Sequence, residues 1–229
     1  MIRPVQNAAF TEVANVRTAG EKPLSISRSR TGKVTISSVK KDAEFFYTIN
    51  NSKKKIAYTE PFDLRNGGVV TAFYKDNKAI KATMSLEKIE TIPLDVIYAS
   101  SEEVGYGDAK NLVDGNPSTI WHTMYSVTVA KYPHWVDFDA AEEKTIKGFI
   151  YVPRTNSWNG LIKDYTIHVS QDGKNWGEPV KKGTFVRKRE PQRVMLDTPV
   201  KARYIRFTGL SSHNGQDFAG GSEFSVIAD

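Results

Sequence analysis

The chain contains no cysteine. That excludes disulfides, zinc-thiolate sites and thiol catalysis, although it does not fix the compartment. No apolar run approaches the length of a membrane-spanning helix, so membrane insertion is not expected. The opening MIRPVQNAAF has no apolar h-region and does not read as a signal peptide. On that reading the chain is either cytosolic or a piece of a longer exported chain. A helical period of useful length is missing throughout. So are a nucleophile elbow, a phosphate loop and an HExxH motif. None of the many carboxylates sits in a recognisable catalytic pair, and catalysis is not expected of this chain.

What is present is a 229-residue chain, 39% hydrophobic and 11% aromatic, enough for one large or two small cores. Its net charge of +6 is uneven. Residues 1–94 carry 16 Lys and Arg against 9 Asp and Glu, whereas residues 95–229 carry 16 against 17. The asymmetry supports a boundary near residue 94. A basic half can signal nucleic acid, but the only sharp run, Lys53-Lys54-Lys55, falls in a turn and reads as a solvated loop tip.

The first part is a series of short strands separated by turns. LSIS at 24–27 and KVTISS at 33–38 are candidate strands. In EFFYTIN, Phe45, Tyr47 and Ile49 fall on one face and Phe46 and Thr48 on the other. Asn66-Gly67-Gly68 is a hairpin signal leading into VVTAFYK, and AIKATMSLEKI alternates again. The pattern predicts a small β-sandwich. Residues 33–90 resemble the immunoglobulin-like domain at the C-terminal end of chitobiases and β-hexosaminidases. The residues that carry the likeness are Tyr47, Thr48, Ile49, Tyr58, Thr59, Pro61, Phe62, Gly67, Gly68, Val70 and Ala72; Asn50-Asn51 stand where that family has Asp-Gly. The resemblance implies a spacer.

ETIPLD, residues 90–95, reads as a linker, which gives an immunoglobulin-like unit over 1–92 and a second unit over 93–229. In the second unit HWVDFD, TIKGFIYVPR, KDYTIHVSQDG, VKKGTFV, QRVMLD, ARYIRFTGL and EFSVI read as separate strands. They predict a second, jelly-roll-like sandwich, and the chain as a whole is expected to be all-β. DGNPSTIWHT at 114–123, YPHWVDFD, Tyr151–Arg154, VSQDGKNW, ARYIRF and a closing Ser-Glu-Phe resemble, in family order, a discoidin-type (coagulation-factor type C) domain. The likeness is closest to a family 32 carbohydrate-binding module.

DGNPSTIWHT holds two kinds of candidate. Asp114-Gly115 is on the plain reading a turn. Asp114, Asn116 and Thr119 also gather several oxygens, as a hard cation requires, and Glu223 joins them if the chain ends meet. The resemblance implies a structural calcium held by side chains of Asp114, Thr119 and Glu223 and by carbonyls near Asn111, Asn116 and Ser222. Trp121 reads as a core anchor, and His122 points away from it by strand alternation. Trp135 and Trp176 read as structural, and Arg203 and Arg206 as edge or ion-pair residues. His122, Arg154 and Asn159 can supply directional hydrogen bonds to sugar hydroxyls, and an aromatic gives a flat face to a pyranose. The family's galactose-type sites place His122, Arg154 and Asn159 at the polar positions and Phe218 as the platform. Tyr125 and Trp158 are further walls, and Glu102 or Glu103 an acceptor.

The implied function is non-catalytic binding of glycans with terminal galactose-type sugars. The chain would be a monomeric C-terminal accessory region of a secreted, periplasmic or cell-surface glycoside hydrolase, with that enzyme's catalytic domain as its partner. The alternative is a protein- or surface-binding adhesion module, which predicts exposed apolar loop tips.

Overall fold

The computed structural model describes residues 14–16 and 24–229. The opening MIRPVQNAAF, read above as lacking a signal peptide, lies outside the described residues. The described residues fall into two compact units, one ending at Glu90 and the other spanning Thr91–Asp229.

The first unit contains β1 (Ala14–Val16), β2 (Leu24–Arg28), β3 (Lys33–Ser38), β4 (Phe45–Ile49), β5 (Ile56–Tyr58), β6 (Phe62–Asp63), β7 (Gly68–Tyr74) and β8 (Lys81–Leu86). They form two antiparallel sheets, ordered β1-β2-β3-β6 and β5-β4-β7-β8. Alternation drives the assembly. In β8, Ala82, Met84 and Leu86 are buried while Lys81, Thr83 and Ser85 are exposed. Leu24, Ile26, Val34 and Ile36 of one sheet share a core with Tyr47, Val70, Ala72 and Tyr74 of the other. Tyr47 lies flat on Phe62 at 4.1 Å between ring centroids, whereas Phe46 stacks on Phe73. Lys53–Lys55 are exposed in the β4–β5 turn. The Asn66–Gly68 turn does not close a hairpin. Strand β6 pairs with β3, whereas β7 pairs with β4 and β8, so the chain changes sheets there. The turn signal is local, but the partner of each flanking strand is chosen by which face each one buries.

The second unit contains β9 (Thr91–Ile92), β10 (Asp95–Ala99), a short 3-10 turn (Ala109–Leu112), β11 (Trp121–His122), β12 (His134–Val152), β13 (Asp164–Ser170), β14 (Lys181–Thr184), β15 (Gln192–Gly209), β16 (Gly220–Gly221) and β17 (Glu223–Ala228). Its main sheet runs β14-β13-β15-β12-β17-β9, with β10 also on β12 and β11 paired with β16 apart from it. Two expectations are corrected. Thr91-Ile92, placed in the linker, is an edge strand on β17, because Ile92 packs on the core of this unit. HWVDFD and TIKGFIYVPR, read as separate strands, form the single β12, and QRVMLD and ARYIRFTGL form β15. Between the two halves of β12, Ala141 takes φ +65° and the register with β15 slips. This bulge re-aims the strand without ending it.

The core of this unit is dominated by aromatic rings. Phe224 stacks on Phe138 at 4.8 Å and on Phe207 at 4.9 Å, and Phe185 stacks on Tyr165 at 4.1 Å and on Tyr151 at 4.7 Å. On the outer surface Arg206 forms a two-bond fork with Asp137 (2.6 and 2.8 Å) and lies over Trp135 and Trp176. Arg203 forks onto Asp139. Both arginines are therefore ion-pair residues.

Candidate functional site

The site is built on the β11–β16 pair. Trp121 is fully buried, and its indole N–H donates to the Ser101 carbonyl at 3.0 Å, so the ring is both an apolar anchor and a satisfied donor. Trp121 faces Gly221 and His122 faces Gly220. A Cβ on Gly220 would stand 2.7 Å from the Trp121 carbonyl oxygen, so only glycine allows this approach. His122 is held on its other edge by loop 103–107. Its amide donates to the Gly107 carbonyl at 3.1 Å, and its carbonyl accepts from the Glu103 amide at 2.8 Å.

His122 is only 4% exposed. Its Nδ1 lies 2.6 Å from the Thr123 carbonyl, which can only accept, so Nδ1 carries the proton. Burial, with a smaller contribution from Arg154, pushes its pKa below the usual histidine value, against the opposing pull of the Thr123 carbonyl and Glu103. Near neutral pH the ring is uncharged, and Nε2 presents a lone pair. The rings of Tyr125 (5.3 Å, edge-on) and Phe218 (5.4 Å, tilted) flank it.

Arg154 follows the end of β12 and is 8% exposed. Its Nε donates to Asn156 Oδ1 at 2.9 Å, and among the described residues it has no carboxylate partner and no acceptor at its terminal nitrogens. Burial lowers its pKa, and Tyr106, Tyr125 and Tyr151 pull the other way. A guanidinium keeps its charge even so. The result is a buried cationic fork with two nitrogens to spare, beside a neutral imidazole and two aromatic rings.

His122, Arg154, Tyr125, Phe218 and Glu103 converge. Glu103 is committed to the loop, since its Oε2 accepts the amides of Tyr125 (2.8 Å) and Ser126 (3.1 Å). Hydrogen bonds from Ser126 and the Tyr125 amide hold its carboxyl below the usual range. Glu102 caps the 3-10 turn by accepting the Ala109 amide at 2.7 Å. Asn159 is exposed in loop 155–160, next to Gly160, whose carbonyl accepts the Gly220 amide. The Trp158 ring lies against Arg187 (5.3 Å) and Arg189 (4.2 Å) and makes no ring contact with His122.

Sequence reasoning missed the residues behind the platform. Tyr132 donates to the Phe218 carbonyl at 2.5 Å, and His134 Nε2 lies 2.8 Å from the Asp217 carbonyl. The Thr123 hydroxyl accepts the Ala219 amide at 3.1 Å. Together they fix the backbone that presents Phe218. The Tyr-Pro-His-Trp string was visible as a motif, but its targets lie more than eighty residues downstream.

The Asp114 turn is preorganised. Asp114 Oδ1 accepts the Asn116 amide, and the Thr119 hydroxyl lies 2.7 Å from both Asp114 Oδ2 and the Asn116 carbonyl. Asn111 Nδ2 donates to the Ile120 carbonyl at 2.8 Å. Thr119 precedes Trp121 by two residues, and Glu223 follows Gly221, the partner of Trp121, by two. Glu223 is a carboxylate only 4% exposed, and the fully buried Ser222 hydroxyl has no hydrogen-bond partner. Among the described residues no three His, Cys, Asp or Glu side chains gather. A cation here would rest on two carboxylates plus hydroxyl and carbonyl oxygens, a hard-oxygen donor set that suits calcium.

An antiparallel sandwich with a small polar and aromatic site built from loops at one end is a ligand-binding module in form. The F5/8 type C domain model matches residues 96–224, and the chain belongs to that family. A sialidase of Micromonospora viridifaciens is 36% identical over 154 residues, which cover 66% of this chain and 24% of the sialidase. The chain thus spans about a quarter or less of the length of the first curated relatives it matches. Among solved structures, CpGH89CBM32-5 of Clostridium perfringens, in complex with GalNAc-β-1,3-galactose, is 30% identical with a TM-score of 0.55, covering 60% of this chain and 99% of that one. The family 32 carbohydrate-binding module of C. perfringens NanJ, in complex with galactose, is 28% identical with a TM-score of 0.54, covering 60% and 97%.

Proposed function

We propose that the Thr91–Asp229 unit binds glycans ending in galactose-type sugars, without catalysis, at His122, Arg154 and Phe218. The observation that carries this reading is the buried Arg154 fork with its terminal nitrogens unspent beside the His122 lone pair. Arg154 donates to two neighbouring hydroxyls, His122 accepts from one, and Phe218 and Tyr125 cover the apolar face of the ring, with Asn159 at the rim. The two complexes with galactose-containing ligands support the sugar class. With few polar contacts the affinity is on the order of millimolar, roughly −4 kcal/mol. On a glycan array the chain binds galactose-terminated glycans, and His122→Ala and Arg154→Ala abolish that signal; unchanged binding by both variants refutes the site.

In the same reading Asp114, Thr119 and Glu223, with carbonyls of Asn111, Asn116 and Ser222, hold a structural calcium that ties the turn to the C-terminal strand. The unit before Thr91 is an immunoglobulin-like spacer of the chitobiase type. The chain is a monomeric C-terminal accessory region that holds the catalytic domain of an exported glycoside hydrolase near its substrate. It has no part in nucleic-acid binding, and no described helix is long and apolar enough to cross a membrane.

One observation favours a second reading, docking on a protein or another surface. The loops flanking the site expose Val104 (74%) and Val127 (85%), with Tyr106 and Val129 beside them. Binding that free galactose does not compete with decides for that reading.

A further inference from the structure

Next to the sugar site lies a cationic ledge that the proposed function does not use. Arg187, Lys188 and Arg189 follow one another after β14. Among the described residues none of the three forms an ion pair, although most other cations near the sheet, such as Lys181, Arg203 and Arg206, do. The ledge is built, not merely charged. Arg187 and Arg189 lie against the Trp158 ring at 5.3 and 4.2 Å, which fixes two otherwise flexible side chains on a rigid plate. Arg189 Nη1 donates to the Thr155 carbonyl at 2.9 Å, and its Nε is buried with no hydrogen-bond partner. Behind the ledge Gln192 holds both the amide (2.9 Å) and the carbonyl (3.0 Å) of Val186.

Its position is as informative as its charge. Thr155 and Asn156, which carry the contacts to Arg189 and Arg154, are consecutive residues. One short loop therefore joins the ledge to the guanidinium of the sugar site. Clustered cations cost free energy by mutual repulsion, and no carboxylate among the described residues pairs with these three. An anionic ligand would offset that repulsion through their exposed charged ends.

We propose that Arg187, Lys188 and Arg189, backed by Trp158, form a second subsite. It takes the negatively charged substituent, carboxylate or sulfate, of a sugar neighbouring the one held at His122 and Arg154. The inference rests on the reading of His122 and Arg154 as the sugar site. The preferred ligand of the module is then an acidic glycan.

The test titrates the full chain with GalNAc-β-1,3-galactose and with the same disaccharide carrying either a sulfate or a sialic acid. At least one acidic form binds roughly five-fold tighter than the neutral one, as expected of an exposed charged contact, and about 0.5 M salt removes the difference. Whichever form gains identifies the anion. Arg187→Ala/Lys188→Ala, which leaves the Arg189–Thr155 contact in place, keeps the neutral affinity and loses the gain. Equal binding of neutral and acidic forms by a chain whose neutral binding needs His122 overturns the subsite alone. So does a gain that survives in the double variant. No His122-dependent binding of any form overturns the sugar site and the subsite with it.

Discussion

The proposed site rests on two side chains, His122 and Arg154, and both are buried. His122 is kept neutral by desolvation, with its proton spent on the Thr123 carbonyl. Its Nε2 can therefore accept from a hydroxyl only while the ring is uncharged. Because burial lowers the folded-state pKa, the neutral ring persists through the ordinary histidine value and is lost only in more acid solution. Galactose affinity should be flat from about pH 8 through about pH 6.5 and should fall only at lower pH, as the lowered pKa is crossed. The same linkage makes the fold lose stability in acid, where His122 must charge. A pH titration by calorimetry checks both. Affinity that rises on acidification would mean that the imidazolium is the binding form. Tyr132 is the second residue-scale test. Tyr132→Phe deletes only the hydroxyl on the Phe218 carbonyl, which should cost about 1 kcal/mol. It should weaken sugar binding a few-fold and lower the melting temperature by a few degrees.

At the scale of elements, the site depends on a two-residue strand pair that close packing makes possible. Gly220→Ala would drive a methyl into the Trp121 carbonyl, so the β11–β16 pair must open. A lower melting temperature and loss of sugar binding together are expected. Trp121→Ala leaves a large cavity and should cost roughly 3–5 kcal/mol, read as a shift in denaturant midpoint. Much at this scale was legible in the sequence, because period-two alternation is a local property. Phe45, Tyr47 and Ile49 point to the core as their spacing requires, and so do Ala82, Met84 and Leu86. What was not legible depends on partners far along the chain. Strand β12 runs through a bulge at Ala141, and β6 pairs with β3 and not with β7 across the Asn66–Gly68 turn. Thr91-Ile92 is claimed by β17, not by a linker. The same limit applies to the site. DGNPSTIWHT announced itself, and His122, Arg154 and Phe218 do surround one spot. Glu103, read as a ligand acceptor, spends one oxygen, Oε2, on two loop amides. Trp158, read as a wall, also lies against two arginines that no local pattern tied to it.

In the whole molecule an all-β unit precedes the unit that carries the F5/8 type C match. Strand β17 begins with Glu223, two residues past the Gly221 that pairs with Trp121, and runs along β12. A calcium held there binds the folded state and not the unfolded one, so it stabilises by mass action. Chelation should lower the melting temperature and weaken sugar binding, and calcium should restore both where magnesium, with its demand for tight octahedral coordination, does not. Asp114→Ala should abolish the response to chelator. A melting curve indifferent to both chelator and calcium would remove the metal from the account and leave the sugar site standing.

The central claim, a galactose-type site at the β11–β16 end, is tested most directly by an amide-detected NMR titration of the full chain with galactose. The account predicts saturable shifts on the order of millimolar galactose, concentrated at residues 103–107, 122–126, 154–160 and 217–220 and absent in His122→Ala. Saturable shifts centred elsewhere, or none at all, would contradict it.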